Sequence, residues 1–316
     1  MKYCFENVSC PVCHTAASAP FCRVPDRFEL EKGDQYRLLS CKGCRLIYLN
    51  PRPQEEHSGA FYQNSEYSPF ISVNPKPTFF DKIYLGLRTW NNRWKRRKIE
   101  AVRSEPGKLL DVGCGTGEFM LEMKQAGWDI RGVERDGNAA ACAIENHKLR
   151  IVKGTIHDLP AVNKTYDVIT MWHVLEHIYD VHQTVQRVRD LLKPGGLFVV
   201  AVPNAASLDA SIYRQNWIAW DSPRHVQHFS FETLSTLMKM HSMTLKKSLH
   251  LPLDTCFNTL MSEDLIRKRS GSKFIVMKIF SLMRAVFVAA LTLKMGFFGR
   301  PFGWKRGSTL IGIWKK

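Results

Sequence analysis

Between residues 108 and 202, short apolar runs alternate with stretches in which apolar residues recur every three to four positions. The runs predict strands near 108–112, 129–134, 149–153, 166–171 and 196–202. The plainest helix spans 180–192, where Val181, Val185, Val188, Leu191 and Leu192 share one face and "KPGG" ends the run. Another follows Gly117, with Phe119, Met120 and Met123 as its apolar positions. Strand and helix in alternation predict a parallel sheet covered on both faces, with a ligand at the carboxyl ends of the strands. Upstream, "FFDKIYLGLRTWNNRWKRRKIEAVR" (79–103) places Phe80, Ile83, Tyr84, Leu87 and Trp94 on one helical face. A basic cluster, Arg93 to Lys98, follows. It reads as a lid helix with a solvated end, or as a contact with an anionic surface.

Composition sharpens this picture in one region. The chain of 316 residues carries a net charge of +16, and no acid follows Asp264. Twelve lysines and arginines lie beyond that point, which leaves +4 for the first 264 residues. The basicity is therefore a property of the tail, which faces something anionic or stays solvated. The first residues, "MKYCFENVSCPVC", hold no apolar run behind a charged start, and nine cysteines then suggest a reducing, cytoplasmic setting.

Four of those cysteines form two C-x-x-C knuckles, "CPVC" at 10–13 and "CKGC" at 41–44. A tetrahedral zinc site needs four sulfurs, and each tight turn supplies two. Cys10, Cys13, Cys41 and Cys44 are the expected ligands of a structural zinc ribbon over residues 1–50, with His14 and Cys22 as substitutes. A closed site of this kind holds a small module folded and leaves no open position for catalysis.

"KLLDVGCGTGEFM" (108–120) runs from a buried strand into Gly113, Gly115 and Gly117 and then into a helix. Glycines there let a backbone approach a ligand closely. The next strand ends in Glu134, 17 residues past Gly117, where a carboxylate can accept from both hydroxyls of a ribose. The spacing is G-x-G-x-G rather than that of a dinucleotide fingerprint, and Asp111 ahead of it suits a cationic amino-acid end. In these residues the chain resembles the class I S-adenosylmethionine-dependent methyltransferases, whose first motif reads like "LDVGCGTG". The likeness continues in order through "VKGTIHDLP" (152–160), "YDVITMWHVLEHI" (166–178) and "LLKPGGLFVVAVPN" (191–204). "DSPRHVQHFSFETLSTLM" (221–238) is similar to the segment covering the acceptor site in one branch, which also carries a zinc knuckle and the "NPRP" seen at 50–53.

The resemblance implies a Rossmann-like, seven-stranded α/β sheet over 106–250 and 307–316, with "MTLKKSLHL" and "STLIGIW" as sixth and seventh strands. Residues 51–105 become linker and lid helix. It implies S-adenosylmethionine as cofactor, its methionine end on Asp111, Gly113, Cys114, Gly115 and Gly117 and its ribose on Glu134 beside Arg135. Thr155, where relatives carry Asp, would contact the adenine; Ile156 and His157 would border it, and Trp172 with His173 would sit under the sulfonium. Methyl transfer is an in-line displacement that needs alignment and, for a hydroxyl acceptor, removal of a proton. Histidine is the natural base near neutral pH, so His173, His225 and His228 are the catalytic candidates. The region also resembles quinone-pathway O-methyltransferases, which have a Glu in place of His173 at a divalent-metal position; with a histidine there, no catalytic metal is expected.

Three functions compete. The first is O-methylation of a cell-envelope glycan, lipid-linked or prenylated small molecule by a peripheral enzyme on the inner face of the cell membrane. The second is RNA methylation through the ribbon and basic surface, which the near-neutral first 264 residues and the absence of a basic cluster in 1–50 disfavour. The third is a non-catalytic scaffold, which the intact glycine turn disfavours. Oligomeric state is not legible. The insertion at 251–306 decides much between them. Its uncharged run, Ala285 to Leu293, is far short of the ~20 residues a spanning helix needs, and the last strand must return to the sheet. Its cations, with Phe297, Phe298, Phe302 and Trp304, fit an element lying in an anionic leaflet or a hairpin over the acceptor pocket.

Overall fold

The computed structural model describes residues 3–62, 79–160, 164–271, 275–298 and 306–316, with the backbone alone described at 79–84, 275–278 and 295–298. In chain order the N-terminal region holds β1 (Phe5–Glu6), β2 (Ser18–Val24), β3 (Tyr36–Cys41), β4 (Ile47–Leu49) and β5 (Arg52–Pro53). The helix α1 (Phe79–Glu100) leads into an alternating series: β6 (Lys108–Val112), α2 (Glu118–Gln125), β7 (Asp129–Glu134), α3 (Gly137–His147), β8 (Ile151–Lys153), β9 (Tyr166–Trp172), α4 (Val181–Leu191) and β10 (Leu192–Pro203). Then come α5 (Leu208–Tyr213), β11 (Gln227–His228), α6 (Phe231–Met240), β12 (Thr244–His250), α7 (Pro252–Arg269), α8 (Ile275–Phe298) and β13 (Thr309–Lys315).

The main sheet has seven strands in the order β12-β13-β10-β9-β6-β7-β8. Pairs β10/β9, β9/β6, β6/β7 and β7/β8 are parallel, and β13 runs against both its neighbours. The α/β, Rossmann-like expectation holds, and the central strands lie within two residues of the apolar runs except β10, which begins at Leu192, four residues ahead of its run, and takes in the "KPGG". Their inward residues are fully apolar because both faces are covered. One core layer joins Leu110, Ile169, Phe198 and Val200 to Val185, Val188 and Leu191 of α4. The other joins Leu109, Val168 and Val199 to Met120 and Met123 of α2 and Ile99 of α1. Asp180 caps α4 by accepting from Gln183 N, which is why that helix starts where its apolar face does.

β1 pairs with β5 as a two-stranded sheet, but β2, β3 and β4 do not form a sheet alone. β11, from the segment expected to cover the acceptor, pairs with β4 and completes a four-stranded sheet in the order β11-β4-β3-β2. A buried ion cluster locks the same joint: Arg224 donates to Asp26 at 2.7 Å and to Asp221 at 2.8 Å, and Arg27 pairs with Asp221 at 3.1 Å.

Only part of the apolar face foreseen on α1 is described: Phe80, Ile83 and Tyr84 lie outside the described side chains, Leu87 is exposed, and Trp94 packs on the second core layer. Part of the basic cluster, and Arg88 ahead of it, is paired within the protein, while Arg93 and Arg97 are exposed. Arg96 donates to Glu122 and Glu100 at 2.8 Å each, and Arg88 to Glu118 at 2.9 Å.

The insertion is a helical hairpin, α7 packed on α8. Thr255, Thr259, Ser262 and Glu263 of α7 and Ala285, Val288, Ala289 and Thr292 of α8 are buried. Arg284 pairs with the buried Glu263 at 2.5 Å, and Tyr213 donates to the same carboxylate at 3.0 Å. The opposite side of α8 is bare: Phe280, Met283 and Phe287 are each 63% exposed, and Ile279, Leu282 and Val286 accompany them. Among the described residues no helix is long and apolar enough to cross a membrane. Phe302 and Trp304, and the side chains of Phe297 and Phe298, lie outside the described residues.

Candidate active site and cysteine cluster

The glycine turn sits between β6 and α2, at the carboxyl edge of the sheet. Gly113, Gly115 and Gly117 have φ of 70°, 55° and 87°, a region that side chains other than glycine adopt at a cost. A Cβ on Gly113 would meet Val174 Cγ2 at 2.4 Å, and one on Gly117 would meet Leu149 at 2.6 Å. At Gly115 a Cβ would meet nothing within 4 Å, so this is the glycine that faces open space. The amides are less free than expected. Gly113 N and Cys114 N donate to Val133 O, Gly117 N donates to Cys114 O, and Gly115 N donates to Glu134 Oε2 at 2.7 Å. Glu134 also accepts from Asp136 N at 2.8 Å, so its carboxylate is fixed beside Gly115 by two amides. Cys114 is buried in the second core layer, a packing residue rather than an exposed thiol.

Asp111 lies under this turn. It is buried, and Thr170 donates to its Oδ1 at 2.6 Å. Desolvation pushes its carboxyl up to about 7, with Thr170 and Lys95 acting the other way. Lys95 has no counterpart among the sequence candidates. Its ammonium stands 4.4 Å from the Trp172 ring and 5.9 Å from that of Phe119, facing Asp111 and Asp254. Burial pulls it below its ordinary pKa. A side chain inside a basic run carries no local sign that it turns inward, and only the α1 register would have separated Lys95 from Arg96.

The adenine candidates also make contacts within the protein. Thr155 is the cap of a short turn: its hydroxyl accepts from His157 N and donates to Asp158 Oδ2. Ile156 is buried in the core, and His157 reaches Thr184 of α4 at 3.4 Å. Arg135 donates to Ser58 at 3.3 Å, tying this edge to the N-terminal region.

His173 leaves β9 with φ of 58°. Its Nε2 bonds Asp254 Oδ2 at 2.8 Å and its Nδ1 lies 3.3 Å from Glu176. Burial opposes the charge, but Asp254 and Glu176 outweigh it and hold the imidazolium up to about 10. With both nitrogens facing carboxylates, His173 is in a setting that favours the imidazolium and is poorly placed to take a proton. Burial keeps His225 and His228 neutral instead, His225 brought down to about 4 with the help of His177. A base that weak is far from the near-neutral value that favours proton removal.

His225 has another geometry to offer. It donates Nδ1–H to Ala219 O at 2.8 Å, and His177 directs Nδ1 at Arg224 O at 3.0 Å, so each keeps Nε2 for a further partner. Glu176 is buried, and among the described residues its oxygens make no aligned hydrogen bond beyond the 3.3 Å approach of His173 Nδ1. One donor atom from each of these three residues lies within 4.8 Å of the others. His228, edge-on to Trp220 with ring centroids 4.9 Å apart, has a buried Nε2 with no partner.

The second cluster is the cysteines. Cys10 Sγ lies 3.5 Å from Cys44 Sγ and Cys13 Sγ lies 3.4 Å from Cys41 Sγ, and all four sulfurs fall within 4.8 Å of one another. Gly43 N and Cys44 N both point at Cys41 Sγ. Burial opposes a thiolate at Cys13, yet hydrogen bonds to Thr15 and the neighbouring sulfurs bring it down to about 6. Four convergent sulfurs with amide donors fit a zinc ion. His14 and Cys22 stand outside this group among the described residues, and His14 stacks on His182 instead.

Residues 88–241 match the family model described as "Methyltransferase domain". A ubiquinone biosynthesis O-methyltransferase of Mesorhizobium japonicum is 26% identical over 177 residues, covering 52% of this chain and 68% of that protein. One from Cereibacter sphaeroides is 32% identical over 130 residues, covering 39% of this chain and about half, 53%, of the relative. Among solved structures, a SAM-dependent methyltransferase from Archaeoglobus fulgidus aligns with a TM-score of 0.45 and 18% identity, covering 72% of this chain and 94% of the other. The glycine turn, its ribose-length spacing to Glu134 and the matched family model agree: the chain carries a class I S-adenosylmethionine-dependent methyltransferase domain.

Proposed function

We propose that the protein transfers the methyl group of S-adenosylmethionine to a hydroxyl on an apolar acceptor, prenylated, lipid-linked or a cell-envelope glycan intermediate, at a membrane surface. The cofactor lies over Gly115, its ribose hydroxyls donating to Glu134 and its ammonium meeting Asp111. Lys95 is the partner of its carboxylate, and Trp172 lines the sulfonium. The acceptor enters from the side of His225, His228 and Trp220, whose side chains are buried. Cys10, Cys13, Cys41 and Cys44 hold a structural zinc that fixes β3 and β4, and through β11 the covering segment.

The relatives' name, ubiquinone biosynthesis O-methyltransferase, supports oxygen as the accepting atom. The observation that carries the membrane part is the bare face of α8 on a hairpin with no acid in α8, which suits an interfacial element in an anionic leaflet. Replacing Phe280, Met283 and Phe287 together by Ser is expected to abolish co-sedimentation with phosphatidylglycerol vesicles while leaving S-adenosylmethionine binding intact. Equal sedimentation of variant and wild type would remove the membrane part of the proposal.

The quinone-pathway resemblance brings a divalent ion with it, and the residues present fit one by a changed donor set: Glu176, His177 and His225 would hold it, with His173 turned away to Asp254. Bound there, the ion would lower the pKa of an acceptor hydroxyl, work that no histidine here is poised to do as base. Electron paramagnetic resonance of Mn²⁺ added to the zinc-loaded protein is expected to show one bound ion, lost in Glu176→Gln. Persistence of the bound signal in that variant would dismiss this donor set.

A further inference from the structure

A cavity of about 440 Å³ lies at the seam between the N-terminal sheet and the methyltransferase domain. Pockets for small ligands run from roughly 300 to 1,000 Å³, so it is large enough to hold one. Phe21 and Cys22 of β2 and Ile47 of β4 line it from the ribbon side, together with the buried Trp220. Burial pushes the Cys22 thiol up to about 11, so this side carries no charge. The polar side chains of the lining come from one place. They are Ser211, Arg214 and Gln215, at the end of α5 and in the turn after it. This segregation suits a ligand with an apolar body and a polar group at one end.

Arg214 is the charge of the cavity. It is exposed, and among the described residues its guanidinium has no carboxylate partner. Its backbone has φ of 49° and ψ of −126°, a conformation that residues other than glycine adopt at a cost. The indole nitrogen of Trp220 donates to its carbonyl at 2.7 Å, and Trp217 N at 3.0 Å. The cation is thereby tied to an aromatic ring of its own cavity. Trp220 also begins a path inward. Ring centroids lie 5.5 Å apart from Phe21 to Trp220, 4.9 Å from Trp220 to His228, 6.3 Å from His228 to His225 and 4.6 Å from His225 to His177. One end of this row is the cavity, and the other is the donor cluster of Glu176, His177 and His225.

We propose that this cavity is the subsite for the apolar chain of the acceptor, with Arg214 meeting an anionic group, so that the acceptor is a single-chain anionic amphiphile. The cavity takes one chain rather than the two of a bilayer phospholipid. That chain lies against Phe21, Ile47 and Trp220, and a phosphate or carboxylate pairs with Arg214. The N-terminal sheet then supplies a wall of the substrate site as well as a fold. This rests on the acceptor side given above, with which the cavity shares Trp220.

Calorimetric titration with monomeric octyl phosphate and with octanol tests the subsite without a cofactor. Wild type is expected to bind octyl phosphate about tenfold more tightly than octanol. Arg214→Gln should bring octyl phosphate down to the level of octanol and leave octanol within about twofold. Phe21→Ala should weaken both ligands several-fold. Both side chains reach solvent, so neither change opens the core. No octyl phosphate binding in wild type, equal losses of both ligands in Arg214→Gln, or unchanged affinities in Phe21→Ala would overturn the subsite. With methyl-tritiated S-adenosylmethionine and a lipid extract of the source organism, label should enter the fraction that an anion exchanger retains, and octyl phosphate should suppress it. Label confined to neutral lipids would overturn the substrate class. A cavity that binds octyl phosphate while no fraction takes label would overturn the proposed activity rather than the binding site.

Discussion

Asp111→Asn is expected to abolish S-adenosylmethionine binding while making the ligand-free protein more stable at pH 8. The carboxyl is buried, and desolvation raises it from 3.8 to about 7. An acid whose folded pKa lies above its unfolded value binds more protons when folded between those two values. Its contribution therefore becomes steadily more unfavourable as pH rises from about 4 to about 7, and the full penalty applies above that window. Three units at 1.36 kcal/mol each put the penalty at roughly 4 kcal/mol, of which an amide that keeps the Thr170 hydrogen bond should recover about half or more. The same change removes the charge proposed to meet the cofactor's ammonium. Thermal melting at pH 5 and pH 8 checks the first part, since the stabilisation should shrink toward pH 5; calorimetry checks the second. A variant less stable than wild type at pH 8 would mean that Asp111 is held by contacts stronger than its desolvation cost.

Cys41→Ser is expected to release zinc and unfold the N-terminal sheet together with the segment over the acceptor. Structural zinc contributes on the order of 10–16 kcal/mol to small modules that depend on it. Cys41 carries two amide-to-sulfur contacts and ends β3, so its loss undoes the ion site and the strand at once. The damage should spread, because Gln227–His228 pairs with β4 and Arg224 needs Asp26. A buried guanidinium that loses a carboxylate costs several kcal/mol. Elemental analysis should find one zinc per wild-type chain and almost none in the variant, and limited proteolysis should cut the variant both before residue 50 and near 221–228. One zinc per variant chain, or an intact proteolytic pattern, would remove the cysteine cluster as a folding element.

The sheet was legible because each of its central strands is an apolar run with a punctuated end. Val112 into Gly113, Glu134 and "KPGG" are local signals, and Lys108–Val112 and Asp129–Glu134 fall where those signals put them. The cysteine knuckles were legible by spacing. What was not legible depends on contacts across long stretches of chain. Nothing near Asp254 announces that it meets His173, 81 residues away, and that single bond helps set His173 where the imidazolium is favoured. Nothing in "PRHVQHFS" announces that two of its residues are a strand of the N-terminal sheet. Lys95 reads in the sequence as one more cation in a basic run, and nothing near Thr155 announces that its hydroxyl closes a capping box with Asp158. The insertion was framed as either a cover for the pocket or a surface element. Its buried α7 face and bare α8 face allow both, one on each side of the hairpin.

The most direct test of the central claim is a crystal structure of the protein with S-adenosylhomocysteine. The account predicts the ribose hydroxyls on Glu134, the methionine end between Asp111 and Lys95, and the thioether sulfur beside Trp172 and His173. Ligand density anywhere other than over Gly115, or a crystal that excludes the ligand at saturating concentration, would contradict it.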